Sequence, residues 1–141
     1  MNQLGSTSPK TEELNHTKMT TITRFEDLDC WQEAVSLASE IYECTSQGEF
    51  SKDFGLRDQL RRSVVSIASN VAEGKERETV NEFVRFLYIA KGSAGELRTQ
   101  LHIAENIGYL TSGKARELRE KAERISAMLA NLIKTLKRAR K

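Results

Sequence analysis

The chain has 141 residues, with 22 Lys and Arg against 20 Asp and Glu, a formal net charge of +2, one Pro and few aromatics. That length favours one domain able to bury a core without disulfides or metals, and the charge-rich, proline-poor balance favours a soluble all-α protein. The small net charge lacks the basic excess of a dedicated nucleic-acid binder, no run is long enough for a membrane span, and the N-terminus has no apolar segment of the signal-peptide kind. A cytoplasmic location is therefore the default expectation.

Residues 1–23 are polar, rich in Thr, Ser and Asn, and show no apolar period. They read as a disordered tail ahead of a folded unit spanning 24–141. A first helix is expected over 28–45, with Leu28, Trp31, Val35, Ala38 and Tyr42 on its inner face and Ile41 beside them. Asp27 is the candidate cap, and Phe25 before it is placed to pack back on the first turn. Cys30 and Cys44 share this helix at a separation of roughly 21 Å along its axis, too far for a disulfide between them. Phe50 and Phe54, in the connection that follows, are expected to fold over the bundle end.

The second helix is expected over 53–74. Leu56, Leu60, Val64, Ile67 and Val71 recur at helical spacing on one face, flanked by the small residues Ser63, Ser66, Ala68, Ser69 and Ala72 that let another helix approach. Gly74 stands where a helix commonly stops in a left-handed turn. A polar row, Gln59, Arg62, Ser66, Asn70 and Glu73, runs beside the apolar one.

Thr79 with Glu82 three residues on makes a capping box for a third helix over 79–107. Its seam is Phe83, Leu87, Ala90, Ala94, Leu97, Leu101 and Ala104, in alternating four-three steps. Gly92 and Gly95 lie inside it, each costing about 1 kcal/mol relative to Ala, and predict a close helix crossing. Gly108 ends the helix. A fourth helix over 112–139, capped by Thr111 or Ser112, carries the seam Ala115, Leu118, Ala122, Ile125, Leu129, Leu132 and Leu136. Glu117 with Lys121 and Glu120 with Arg124 are spaced for ion pairs on its exposed face. Five basic residues between Lys134 and Lys141 suit a helix C-terminus. Four amphipathic helices joined by short turns pack most simply as an up-down-up-down antiparallel four-helix bundle.

Little in this pattern serves catalysis. A di-iron bundle needs Glu-x-x-His pairs on facing helices, and the one such pair, Glu13 with His16, falls in the tail, while Thr99 precedes His102. There is no phosphate-cradling Gly-rich loop, and Ser66 lacks a nucleophile-elbow context. No catalytic residue, metal ligand or cofactor is expected, and the protein reads as non-enzymatic. The polar set Gln59, Arg62, Ser66, Asn70 and Glu73, joined by Glu96 and Gln100 from the third helix, admits two readings: a buried network that fixes helix register, or a ligand or partner pocket. Arg57, Arg61, Lys75 and Arg77 on and after the second helix, with Lys137, Arg138, Arg140 and Lys141 at the end, are the candidate phosphate contacts; the alternative is a solvated charged face, since acidic residues are interleaved with them.

Three segments together, FEDLDCWQEAVSLASEIY, GLRDQLRRSVVSIASNVAEGKER and EFVRFLYIAKGSAGELRTQL, resemble the bacterial four-helix bundle family also called the 23S rRNA intervening-sequence protein or S23 family. The resemblance covers Phe25 to Leu136. It implies a four-helix bundle that assembles as a ring-shaped homopentamer. It also implies a setting within 23S rRNA intervening sequences or beside diversity-generating retroelements, with RNA or a reverse transcriptase as partner. The competing expectation is a protein–protein interaction scaffold that makes no nucleic-acid contact.

Overall fold

A computed structural model describes residues 24–139. The expected N-terminal tail, and Arg140 and Lys141 of the basic C-terminus, lie outside the described residues. Four helices follow in order among those described: α1 (Asp29–Thr45), α2 (Phe54–Glu76), α3 (Val80–Ile107) and α4 (Ser112–Ala139), with 3-10 turns at Phe25–Asp27 and Gly48–Lys52 and no strand. The boundaries fall within two residues of the sequence pattern because the start signals are chemical. The Asp53 carboxylate accepts from the Leu56 amide at 3.1 Å, the Thr79 hydroxyl from the Glu82 amide at 3.1 Å, and the Thr111 hydroxyl from the Lys114 amide at 3.1 Å, each satisfying a donor the helix start leaves open. Gly108 closes α3 with φ at +98°, the left-handed conformation glycine adopts without a Cβ penalty.

Two expected caps differ. Asp27 belongs to the 3-10 turn, and Leu28 sits at the α1 N-cap with no side-chain bond. Gly74 does not stop α2, which continues unbroken through Glu76, and its φ is not positive. Gly74 is where the close crossing occurs. A Cβ on it would lie 2.8 Å from the Phe86 Cβ and 3.0 Å from Phe83 Cδ1 on α3, so only glycine lets α2 and α3 meet there. The crossing expected at Gly92 and Gly95 is absent: a Cβ on either would meet nothing within 4 Å in this chain.

Each helix packs on its neighbours in sequence, and α4 closes on α1, while the backbones of the diagonal pairs stay further apart. This is the antiparallel bundle. Leu37, Ile41, Leu60, Ile67, Leu87, Leu97, Leu101, Leu118, Ile125 and Leu129 are fully buried at its centre, each burial worth about 1.5–3 kcal/mol. The α2, α3 and α4 seams fall inside as their periodicity requires.

The first helix is rotated relative to expectation. It buries Cys30, Ala34, Leu37 and Ile41, whereas Val35 and Tyr42 are 39% and 44% exposed. This helix carries two apolar stripes, and the one through Cys30, Ala34, Leu37 and Ile41 faces the core. Thr45 completes the buried stripe, its hydroxyl donating to the Ile41 carbonyl at 2.6 Å. Phe50 closes one bundle end, buried and stacked on Tyr109 at 5.0 Å. Phe54, expected to join it, is 64% exposed with the Arg57 guanidinium 4.7 Å above its ring.

Candidate nucleic-acid interface

The basic residues nominated by the sequence divide between the two ends of the bundle. Lys75 and Arg57 are separated by 18 residues of one helix, about 27 Å. The end where α2 finishes, α3 begins and α4 finishes carries Lys75, Arg77, Lys137 and Arg138. The Lys137 ammonium donates to the Tyr88 hydroxyl at 2.9 Å and lies 5.1 Å from that ring, which lays the last turn of α4 beside the early turns of α3. The Arg77 guanidinium lies 2.8 Å from Glu73 and 3.8 Å from Glu82, 4.9 Å above the Phe86 ring. Its charge is already answered by two carboxylates. Lys75 is half-buried, Arg138 and Lys134 are exposed, and none of these three has an ion-pair partner among the described residues.

Arg57 and Arg61 do different work at the opposite end. The Arg61 guanidinium donates to the Thr45 hydroxyl at 2.9 Å and the Ser46 hydroxyl at 3.0 Å, and sits 4.5 Å over the Tyr42 ring. It therefore tethers α2 to the C-terminus of α1, where a cation also suits the helix dipole. Arg57 donates to the Ser51 carbonyl at 3.0 Å and pairs with Asp58 at 2.9 Å. These two arginines hold the α1–α2 connection. Their position on the same helix as Lys75 and Arg77 does not put them on the same surface.

The polar row does not form one buried network. Ser66 and Ser93 hydroxyls lie 2.9 Å apart across α2 and α3, and Asn70 donates to Ser66 at 2.9 Å. Gln100 donates to Gln59 at 3.3 Å one end further along, while its own Oε1 is buried without a partner. Glu73 turns out to Arg77 instead. Arg62 and Glu96 are exposed and have no ion-pair partner among the described residues. The row keeps to one face of α2, but only its members turned nearest α3, Ser66 and Asn70 among them, find partners, while Arg62, about 40° away, stays in solvent.

Ion pairs fasten the outer seams. Glu105 meets Arg119 at 2.7 Å between α3 and α4, and Lys121 meets Glu40 at 2.7 Å between α4 and α1. Hydrogen bonds from Arg119 and Ser112 hold the Glu105 carboxyl below its ordinary pKa, and the bond to Glu40 raises that of Lys121. The Tyr109 hydroxyl donates to Asp53 at 2.9 Å, which raises the phenol pKa. Arg124 reaches Glu33 on α1 at 3.7 Å rather than Glu120 on its own helix. Burial pushes the Cys30 thiol up to about 12 and the Cys44 thiol up to about 11. Both are protonated near neutral pH and are slow nucleophiles. Among the described residues no group of three His, Cys, Asp or Glu is placed to hold a metal, and no helix is long and apolar enough to cross a membrane.

Sequence reasoning missed an outward groove between α1 and α2, of about 380 Å³ and lined by Trp31, Val35, Ala38, Tyr42, Val65 and Ala68 among others. The second apolar stripe of α1 was its signal, read instead as core. A second unburied row lies on α3, where Ile89, Ile103 and Ile107 are exposed.

The fold and the segment pattern have counterparts. A family model described as 23S rRNA-intervening sequence protein matches residues 26–131. A crystal structure from Bacteroides thetaiotaomicron, of a protein with unknown function from the S23 ribosomal protein family, superposes with a TM-score of 0.68. The two are 23% identical, and the match covers 74% of this chain and 98% of that one. No curated protein matches the chain. An all-helical bundle whose α1 to α4 fall within the matched span, save the last turns of α4, belongs to the 23S rRNA-intervening sequence protein family.

Proposed function

We propose that this chain is a non-enzymatic, self-assembling bundle that binds RNA through phosphate contacts at one end. The observation that carries the reading is that Lys75 and, from another helix, Lys137 and Arg138 belong to the same end of the bundle, where α2 and α4 both finish, with Lys134 one turn earlier. Arg140 and Lys141 continue the same run of sequence. Phosphate contacts need only mobile cations near a surface, and long-range attraction falls with salt. Base readout is not expected: the exposed rings of Tyr42, Phe54 and Tyr88 are scattered, and the first two carry an intrachain arginine above them. One chain with a net charge of +2 is a weak binder by itself, and assembly, with several such ends on one particle, supplies avidity. The ring of five implied by the family resemblance fits this requirement.

The exposed apolar groove on α1 and α2 favours the second reading, an interaction scaffold with no nucleic-acid contact. A gel-shift series on structured RNA separates the two. The RNA reading predicts micromolar binding with little sequence preference. It also predicts log affinity falling by about 0.7 to 0.9 per neutralised phosphate for each decade of salt, and loss of binding when Lys137 and Arg138 are changed to Glu. Absence of binding at low salt, or binding indifferent to that change, leaves the scaffold.

A further inference from the structure

We infer that the concavity on α3 beside Tyr88 takes one unpaired base of the bound RNA, stacked on the Tyr88 ring, with the phosphates either side of it on Arg85 and Lys137. The inference rests on the RNA binding proposed above and names the part of the RNA that this end of the bundle holds.

Asn81, Val84, Arg85, Tyr88 and Ile89, on the early turns of α3, line an open concavity of about 550 Å³, a size within the range of small-molecule sites. Val84 is buried and gives it an apolar floor, and Tyr88 and Ile89 are 49% and 41% exposed beside it. The concavity adjoins the basic end directly, because the Lys137 ammonium that bonds the Tyr88 hydroxyl comes from the last turn of α4. At 2.9 Å from that oxygen and 5.1 Å from the ring centroid, the ammonium lies past the hydroxyl rather than over the ring face. Arg85, one turn before Tyr88, is exposed and has no ion-pair partner among the described residues. None of the five lining residues is acidic, and Glu82, next to Asn81, reaches Thr79 and Arg77 instead. An apolar floor, an exposed ring and two cations suit a flat aromatic body flanked by negative charge. A duplex keeps its bases stacked on one another and offers this site only phosphate. An unpaired base brings its π-face to Tyr88 and its neighbouring phosphates to Arg85 and Lys137. Stacking of this kind accepts any base, so it adds affinity without sequence readout.

Titration of the full chain, at low salt, into a short oligouridine strand carrying one 2-aminopurine tests this, with the same strand annealed to its complement as the comparison. The emission of 2-aminopurine falls when it stacks. Wild type should bind the single strand and quench it. Tyr88→Ala should remove the quenching and weaken the single strand by about tenfold more than the duplex, the scale of one base–aromatic stack. Tyr88→Phe keeps the ring and should keep the quenching. Quenching lost equally in Tyr88→Phe, or Tyr88→Ala weakening both RNAs alike, overturns the base site and leaves phosphate binding standing. Displacement of the strand by equimolar adenosine monophosphate would make this a site for free nucleotides and overturn the inference as well. Wild type that binds neither RNA overturns the RNA reading itself, and the inference with it.

Discussion

The α2/α3 crossing and the outer face of α3 both depend on glycine, for opposite reasons. At Gly74 a Cβ would strike Phe86 and Phe83, so the residue is absent of side chain because a neighbour in the same chain fills the space. At Gly92 and Gly95 the space is empty, and the helix tolerates two residues that weaken it. A bundle built only for its own stability would carry alanine at both. Interior geometry explains the first region, and nothing within the described chain calls for glycine in the second.

The largest effect expected from breaking this contrast is at the crossing. Gly74→Ala should destabilise by about 1–3 kcal/mol, the scale for overpacking a close contact, read as a lower denaturant midpoint. Gly92→Ala should act in the opposite direction, stabilising the dissociated chain by about 0.5–1 kcal/mol through helix propensity. Melts at low protein concentration, where assembly does not contribute, check the sign. Equal destabilisation by both would mean that the outer face is packed within the chain.

The α3/α4 seam sharpens the picture through pH. The Glu105 carboxyl is held below its ordinary value of 4.5, chiefly by its bond from Arg119. Its contribution to stability is therefore fully present above about pH 4.5 and is lost as pH falls through the lowered folded value. Glu105→Gln should lower the melting temperature at neutral pH and make the acid limb shallower. An unchanged acid limb would show that the pair is not formed in solution. The smallest expected effect is at the exposed row: Arg62→Ala in the monomer should shift stability by less than about 0.5 kcal/mol. A loss of about 3 kcal/mol or more, the scale for breaking a buried charge pair, would instead restore Arg62 to a buried register network.

Alkylation separates the two thiols in the same spirit. Cys44 is half-buried and its thiol lies at about 11, whereas Cys30 is buried and lies at about 12. Mass spectrometry should find Cys44 modified first and Cys30 only as the bundle opens; the reverse order would put Cys30 nearer the surface than α1 now places it.

Much of the fold was legible because α2, α3 and α4 each carry one dominant apolar seam, and because Asp53, Thr79, Thr111 and Gly108 punctuate the helices chemically. The first helix was misread because it has two stripes, and periodicity cannot say which faces inward. Trp31, Val35, Ala38 and Tyr42 recur at helical spacing as regularly as Cys30, Ala34, Leu37 and Ile41 do. The glycines exchanged roles for a related reason: sequence shows where a side chain is missing, while only the packed structure shows what fills the gap. The basic residues were grouped along one helix, and the fold assigns Arg57 and Arg61 to the α1–α2 connection and Lys75 to the far end. The polar row was legible as a row but not as a partition, because small offsets on one face decide which members reach α3, as Ser66 does, and which stay in solvent, as Arg62 does.

The central proposal is a self-assembling bundle that binds RNA through its basic end. Sedimentation velocity of the full-length chain at micromolar concentration, alone and with structured RNA at low salt, tests it most directly. The account predicts a single species at a whole multiple of 16.0 kDa that sediments faster with RNA and loses that shift when Lys137 and Arg138 are both changed to glutamate. A wild-type chain sedimenting at 16.0 kDa throughout, or an assembly indifferent to RNA, would contradict it.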